Sequence, residues 1–160
     1  MSAKHKINWR HLLIFIVVVE IIGILSGLLA GDIKSHYLAL NLPILSPPAA
    51  VFGPVWTILY LMIGISGYLV LNDSSTRAAA RTNFWLFVSQ LVLNFGWSIV
   101  FFGGNQYFIG LIIIILLDAV VIMCIRRFSF VNRAAAYLLI PYLLWLFFAT
   151  YLTLGVALLN

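Results

Sequence analysis

The chain has 160 residues, 64% of them hydrophobic and 8% charged, more apolar surface than a soluble domain of this length can bury. Nine Lys and Arg against four Asp and Glu give a net charge of +5, but the basic residues are scattered between apolar blocks, a pattern of membrane topology rather than nucleic-acid binding. A single cysteine, Cys124, excludes an intrachain disulfide and a cysteine-based metal cluster.

Five apolar blocks, at about 11–31, 48–71, 83–102, 106–125 and 134–159, are each long enough to cross a hydrocarbon core about 30 Å thick. They predict an all-α membrane protein, a single domain built as a bundle of five transmembrane helices. Lys4, Lys6 and Arg10 precede the first block, as in a signal peptide. Its apolar core is too long for one, and no A-x-A site follows, so it reads as a retained span. Gly23, Gly27 and Gly31 recur at four-residue spacing, a small-residue face suited either to packing within the bundle or to a homodimer seam. Glu20 stands in the middle of the same span.

The connection "GDIKSHYLALNLPILSPP", residues 31–48, is long for a structureless loop, and such loops often act as lids, here over 32–47. Ser46 reads as the N-cap of the second span, with Pro47 and Pro48 in the first turn, where a missing N–H costs nothing. Pro54 lies farther in and releases the carbonyl of Ala50, favouring a bend. Phe52, Trp56 and Tyr60 follow on this helix. Trp56 sits roughly 12 Å below the outer end at 1.5 Å per residue, away from the interfacial belt that tryptophan prefers.

In the third span, "QLVLNFGW" puts Gln90, Asn94, Trp97 and Phe101 on one face. The fourth carries Asp118. In the fifth, Pro141 frees the carbonyl of Tyr137, and Pro141, Trp145, Phe148, Ala149 and Leu152 share a face. Bent helices cannot pack flush, so a cavity between the second and fifth spans is expected. These aromatics and amides suit two readings: core packing with Gln90 and Asn94 as interhelical glue, or an aromatic pocket for a flat, largely apolar ligand.

Arg77 and Arg81 lie between the second and third spans, and Arg126, Arg127 and Arg133 between the fourth and fifth. They share one side with Lys4, Lys6 and Arg10, while Lys34 lies opposite. The positive-inside rule predicts a cytoplasmic N-terminus and an external C-terminus in the cell membrane. His36, in the outer loop, is the best-placed histidine for a haem iron, though a lone loop histidine is usually solvated. No metal-spacing cluster, Ser/His/Asp set or phosphate loop is present. Glu20 and Asp118, the carboxylates inside the spans, suggest a second function class, a small proton-coupled transporter. The paired inverted repeats of many transporters are not seen.

"PPAAVFGPVWTILY", "QLVLNFGWSIVFF" and "PYLLWLFFATYL" resemble, in order, the signatures of the translocator protein family, also called tryptophan-rich sensory proteins or peripheral benzodiazepine receptors. The resemblance covers nearly the whole chain. It implies a five-helix bundle, commonly dimeric, with a pocket closed by the first loop. It further implies binding of porphyrins and haem-type tetrapyrroles and of isoquinoline and benzodiazepine-type drugs, with no obligatory cofactor. In bacterial members it implies tetrapyrrole and stress signalling, and in some a light-driven porphyrin breakdown whose two tryptophans match Trp56 and Trp145. The family's drug-pocket positions fall on Trp56, Asn94, Trp97, Trp145, Ala149 and Leu152. This chain departs from the pattern at Leu45, where Trp is common, and at Glu20, where the family is apolar or small. It also lacks the C-terminal cholesterol motif; only a weak reversed pattern occurs at Arg133, Tyr137 and Leu139.

Overall fold

A computed structural model of the chain describes residues 7–160. Lys4 and Lys6, used above for topology, lie outside the described residues. Five helical stretches are long and apolar enough to cross a membrane: Trp9–Leu29, Ala49–Asn72, Arg77–Gly103, Tyr107–Ser129 and Arg133–Leu159. The fold is all-α, as the apolar blocks predict.

Helix α1 (Trp9–Leu29) begins at Asn8, whose side chain accepts the N–H groups of Arg10 and His11, and ends at Gly31, with φ +85°. Two differences from the sequence reading follow in the next connection. It is not structureless, because α2 (Ile33–Ala39) forms there, capped by the Asp32 carboxylate on the Ser35 N–H. Nor is Ser46 an N-cap, since its hydroxyl donates to the Pro43 carbonyl at 2.7 Å; the second span opens instead with a 3-10 turn, Ala49–Val51, after Pro48. Pro54 is the third residue of α3 (Phe52–Asn72), directly beyond that turn.

Helix α4 (Arg77–Ser98) starts six residues before the apolar block, because Thr76 caps the Ala79 N–H and the arginine-bearing first turns are helical outside the apolar window. It continues through a wide π-type turn, Ile99–Gly103, in which the Gly104 N–H reaches the Ile99 carbonyl at 2.9 Å. Helix α5 spans Tyr107–Ser129. The last span is interrupted at Leu139: α6 (Arg133–Leu138) gives way to α7 (Ile140–Leu159), with Pro141 in the first turn of α7. The expected effect of that proline is therefore a break in the helix.

The core lies where α3, α5, α6 and α7 meet, around Ile63, Leu117, Val121, Phe128, Leu139, Tyr142 and Leu146, all essentially inaccessible. Two glycines of α3 set its neighbours close. A Cβ on Gly64 would come within 2.9 Å of the Ile16 Cα on α1, and one on Gly67 would overlap the Phe87 ring of α4. Helix α1 buries little besides Val19 and Ser26, while Leu13, Ile24 and Leu28 are exposed. At the arginine-rich end, Asp73 accepts hydrogen bonds from Asn72 and Asn132, tying α3 to the start of α6.

Candidate functional site: a lidded aromatic cavity

The glycine face of α1 supplies the space. Gly23 packs on the ring of Tyr60, which a Cβ there would overlap, whereas a Cβ on Gly27 would meet nothing within 4 Å. Beside Gly27 opens a cavity of about 320 Å³. Its far walls are Phe52, Gly53, Trp56 and Tyr60 from α3, and Trp97, Ser98 and Phe102 from α4 and its π turn. Ile33, Lys34 and Tyr37 of α2 close it above.

This cavity lies between the first three spans; the space expected between the second and fifth spans is present separately, as an open groove of about 480 Å³. Neither Pro54 nor Pro141 lines the cavity, whereas Gly27 of α1 and Gly53 of α3 do, both with open space where a Cβ would stand. The groove, between α3 and α7, is lined by Val55, Ile58, Leu59, Met62, Pro141, Leu144, Trp145 and Phe148. A small apolar cleft on the far side of Trp97 and Phe102, about 20 Å³, reaches Ala149 and Leu152.

The residues expected at the site thus divide into four groups. Phe52, Trp56, Tyr60 and Trp97 surround the cavity. Ala149 and Leu152 line the adjoining cleft. Trp145 and Phe148 turn into the groove, and Phe52 stands beside Trp145 at 6.0 Å between ring centroids. Gln90 and Asn94 do not line the cavity; they lie behind it in a buried network. The Tyr60 hydroxyl donates to the Asn94 carbonyl oxygen at 2.8 Å, the Asn94 amide donates to the Tyr142 oxygen at 3.1 Å, and the Tyr142 hydroxyl donates to the Gln90 carbonyl oxygen at 3.1 Å. In an apolar surround these bonds fix Tyr60, and through it Trp56, whose ring stacks on Tyr60 at 5.3 Å and 30°. Trp97 stacks in turn on Phe101 at 5.2 Å and 19°.

The lid is tethered at three places. The Tyr37 hydroxyl donates to the Pro47 carbonyl at 2.8 Å, the Tyr151 hydroxyl to the Ile44 carbonyl at 2.6 Å, and Asn41 and Asn160 exchange hydrogen bonds through backbone and side chain. Burial raises the Tyr37 phenol above its ordinary range, so it stays a donor at neutral pH. Leu45 holds a left-handed φ of 70° and is exposed, so it adds no aromatic wall. His36 contacts Tyr107 across 3.4 Å rather than the cavity, and the described residues hold no group of three or more His, Cys, Asp or Glu arranged for a metal.

Neither carboxylate inside the spans is in the wall. Asp118 is buried between α5 and α7, accepting from the Thr150 hydroxyl at 2.8 Å, and Glu20 is half-buried on α1 with no hydrogen bond joining the two. The stripe Arg133, Tyr137 and Leu139 is split, because Leu139 is buried in the core while Tyr137 is exposed. Sequence reasoning missed Lys34, Tyr37, Ser98 and Phe102; the glycine spacing on α1 was the signal for the space they enclose. Of the same glycines, read also as a dimer seam, Gly23 packs on Tyr60 within the bundle, whereas a Cβ on Gly27 or Gly31 would meet no atom of this chain within 4 Å.

Residues 15–159 match the model of the TspO/MBR family. The chain belongs to the TspO/MBR family. It is similar to the Tryptophan-rich protein TspO of Archaeoglobus fulgidus, 38% identical over 155 residues that cover 90% of this chain and 96% of that one. A protein of the same name in Chlorobaculum tepidum is 38% identical over 125 residues, 78% of this chain and 79% of its own. The human Translocator protein is 36% identical over 126 residues, 78% and 75% respectively. TspO/MBR membership and the five apolar helices together make this a multi-pass membrane protein that works in a lipid bilayer.

Proposed function

We propose that the chain is a membrane receptor or sensor that takes flat, largely apolar ligands, porphyrin or haem-type tetrapyrroles foremost, into the cavity between α1, α3 and α4. The observation that carries this reading is the open space at Gly27 walled by Trp56, Tyr60, Trp97 and Phe102 and covered by α2. Ligand sites are commonly apolar and aromatic with few polar groups, and about 320 Å³ stands at the lower end of their volumes. A macrocycle therefore enters by one edge, with the remainder under a displaced lid. Isoquinoline and benzodiazepine-type drugs, smaller and equally flat, suit the same walls.

Light-dependent porphyrin breakdown, where it occurs, falls to Trp56, the indole that stacks on Tyr60 at the cavity wall. Trp145, behind Phe52, acts at a remove. The same proposal includes a homodimer, with the α1 stripe of Gly23, Gly27 and Gly31 as its candidate seam. The arginine-bearing end of the bundle faces the cytoplasm and the lid faces outward. The test is a titration of the purified protein in lipid nanodiscs with protoporphyrin, read by tryptophan fluorescence. Saturable quenching, displaced by an isoquinoline ligand, supports the reading. Proton-linked flux without quenching would replace it with the transporter built on Glu20 and Asp118.

A further inference from the structure

The cavity wall carries one formal charge, on Lys34, and no carboxylate. Of its other polar side chains, the Tyr60 hydroxyl donates to Asn94 and the Tyr37 hydroxyl to Pro47, while the buried Trp97 indole N–H has no partner among the described residues. Asp32, the acid two residues before Lys34, is occupied as the cap of α2. Its two oxygens accept the Ser35 N–H at 3.1 Å and the Ser35 hydroxyl at 2.6 Å, and these bonds, with a smaller contribution from the nearby Lys34 charge, hold its carboxyl below the usual range. Glu20 belongs to the same helix as Gly23 and Gly27 but lies nearer the arginine-bearing end and outside the wall. Lys34 therefore reaches the mouth of an aromatic cavity without an acid in that cavity to neutralise it.

Its position fixes what it can do. An ammonium buried among the aromatic rings would lose its hydration, but Lys34 is exposed at the lid, where its long stem can lie along apolar surface with the head in water. A ligand with an apolar ring and an acid group meets both halves of this arrangement: the ring enters between Gly27 and Trp97, and the acid stays at the wet rim. A neutral ligand of the same shape gains only the first half.

Resting on the binding reading above, we propose that Lys34 makes this a site selective for flat ligands bearing a carboxylate, held ring-first with the acid against the lid. The probes are protoporphyrin IX and its dimethyl ester, which share the ring and differ in charge. Each is titrated against the full chain in zwitterionic nanodiscs, with the signal of empty discs subtracted to remove partitioning. The free acid should bind about fivefold tighter than the ester, the upper range for a solvent-accessible ion pair. The preference should fall to about one in Lys34→Gln, persist in Lys34→Arg, and shrink as salt rises. Ester affinity should be the same in all three proteins, which separates a charge effect from a damaged fold. An unchanged preference in Lys34→Gln, or none in the wild type, overturns the role of Lys34 while leaving the cavity as a binding site. Failure of both probes to quench the wild type overturns the binding reading, and this inference with it.

Discussion

Gly27→Leu separates the cavity from the fold more cleanly than any other substitution. A Cβ on Gly27 has no heavy atom within 4 Å, so the new side chain extends into the open space without displacing a neighbour. Four added carbons, each claiming roughly the 30 Å³ share of a water molecule, would take about 120 Å³. That is a large part of the 320 Å³ available. A ligand forced into the remainder meets an overpacked site, a penalty of about 1–3 kcal/mol, or roughly five- to 150-fold in Kd. Stability should not fall, because replacing glycine within a helix contributes up to about 1 kcal/mol. Gly23→Ala is the counterpart: its Cβ overlaps Tyr60, so the ring must shift and its bond to Asn94 weakens. The assay pairs protoporphyrin quenching with thermal unfolding in the same detergent. Gly27→Leu should lose affinity at unchanged or higher Tm, and Gly23→Ala should lose Tm first. Wild-type affinity in Gly27→Leu, or a Tm as low as that of Gly23→Ala, would refute the assignment of Gly27 to an open cavity.

Three further outcomes are expected. Trp56→Phe should keep most porphyrin binding, since a ring still stacks on Tyr60, yet lose most light-dependent porphyrin loss, whereas Trp145→Phe should lose clearly less; absorbance decay under illumination distinguishes them. Tyr142→Phe leaves the Asn94 amide and the Gln90 carbonyl without their shared partner, at a cost of about 1 kcal/mol, and should lower Tm while ligand affinity falls only through a looser Tyr60. Single cysteines at Ser75 and Asn105, at opposite ends of α4 and its π turn, should label from opposite sides of the membrane, with Ser75 cytoplasmic; the native Cys124 is buried and silent. Labelling of both from one side would remove the topology.

The spans were legible because each apolar block is as long as the membrane is thick, and length is a property of the sequence alone. Their ends were less so. The start of α4 at Arg77 and the end of α5 at Ser129 are set by Thr76 capping and by the run of hydrogen bonds, and both continue into polar residues that an apolar window discards. The lid helix was hidden by its seven residues, although Asp32 followed three positions later by Ser35 is a readable cap. Periodicity correctly put Gln90, Asn94, Trp97 and Phe101 on one buried face. It could not say which helix that face meets, and so the amides became a network behind the wall rather than part of it. The expected space between the second and fifth spans is present as an open groove, but the enclosed cavity between the first three spans was not anticipated. Prolines announce a bend, but the cavity opens beside Gly27, where the informative feature is the side chain that is not there.

The most direct measurement is the structure of the protein bound to protoporphyrin in a bilayer, with the position of the macrocycle as its result. The account predicts ring density between Gly27 of α1 and the Trp56 and Trp97 walls, beneath a shifted α2. Density in the open groove at Leu144, Trp145 and Phe148, with the space beside Gly27 empty, would contradict it.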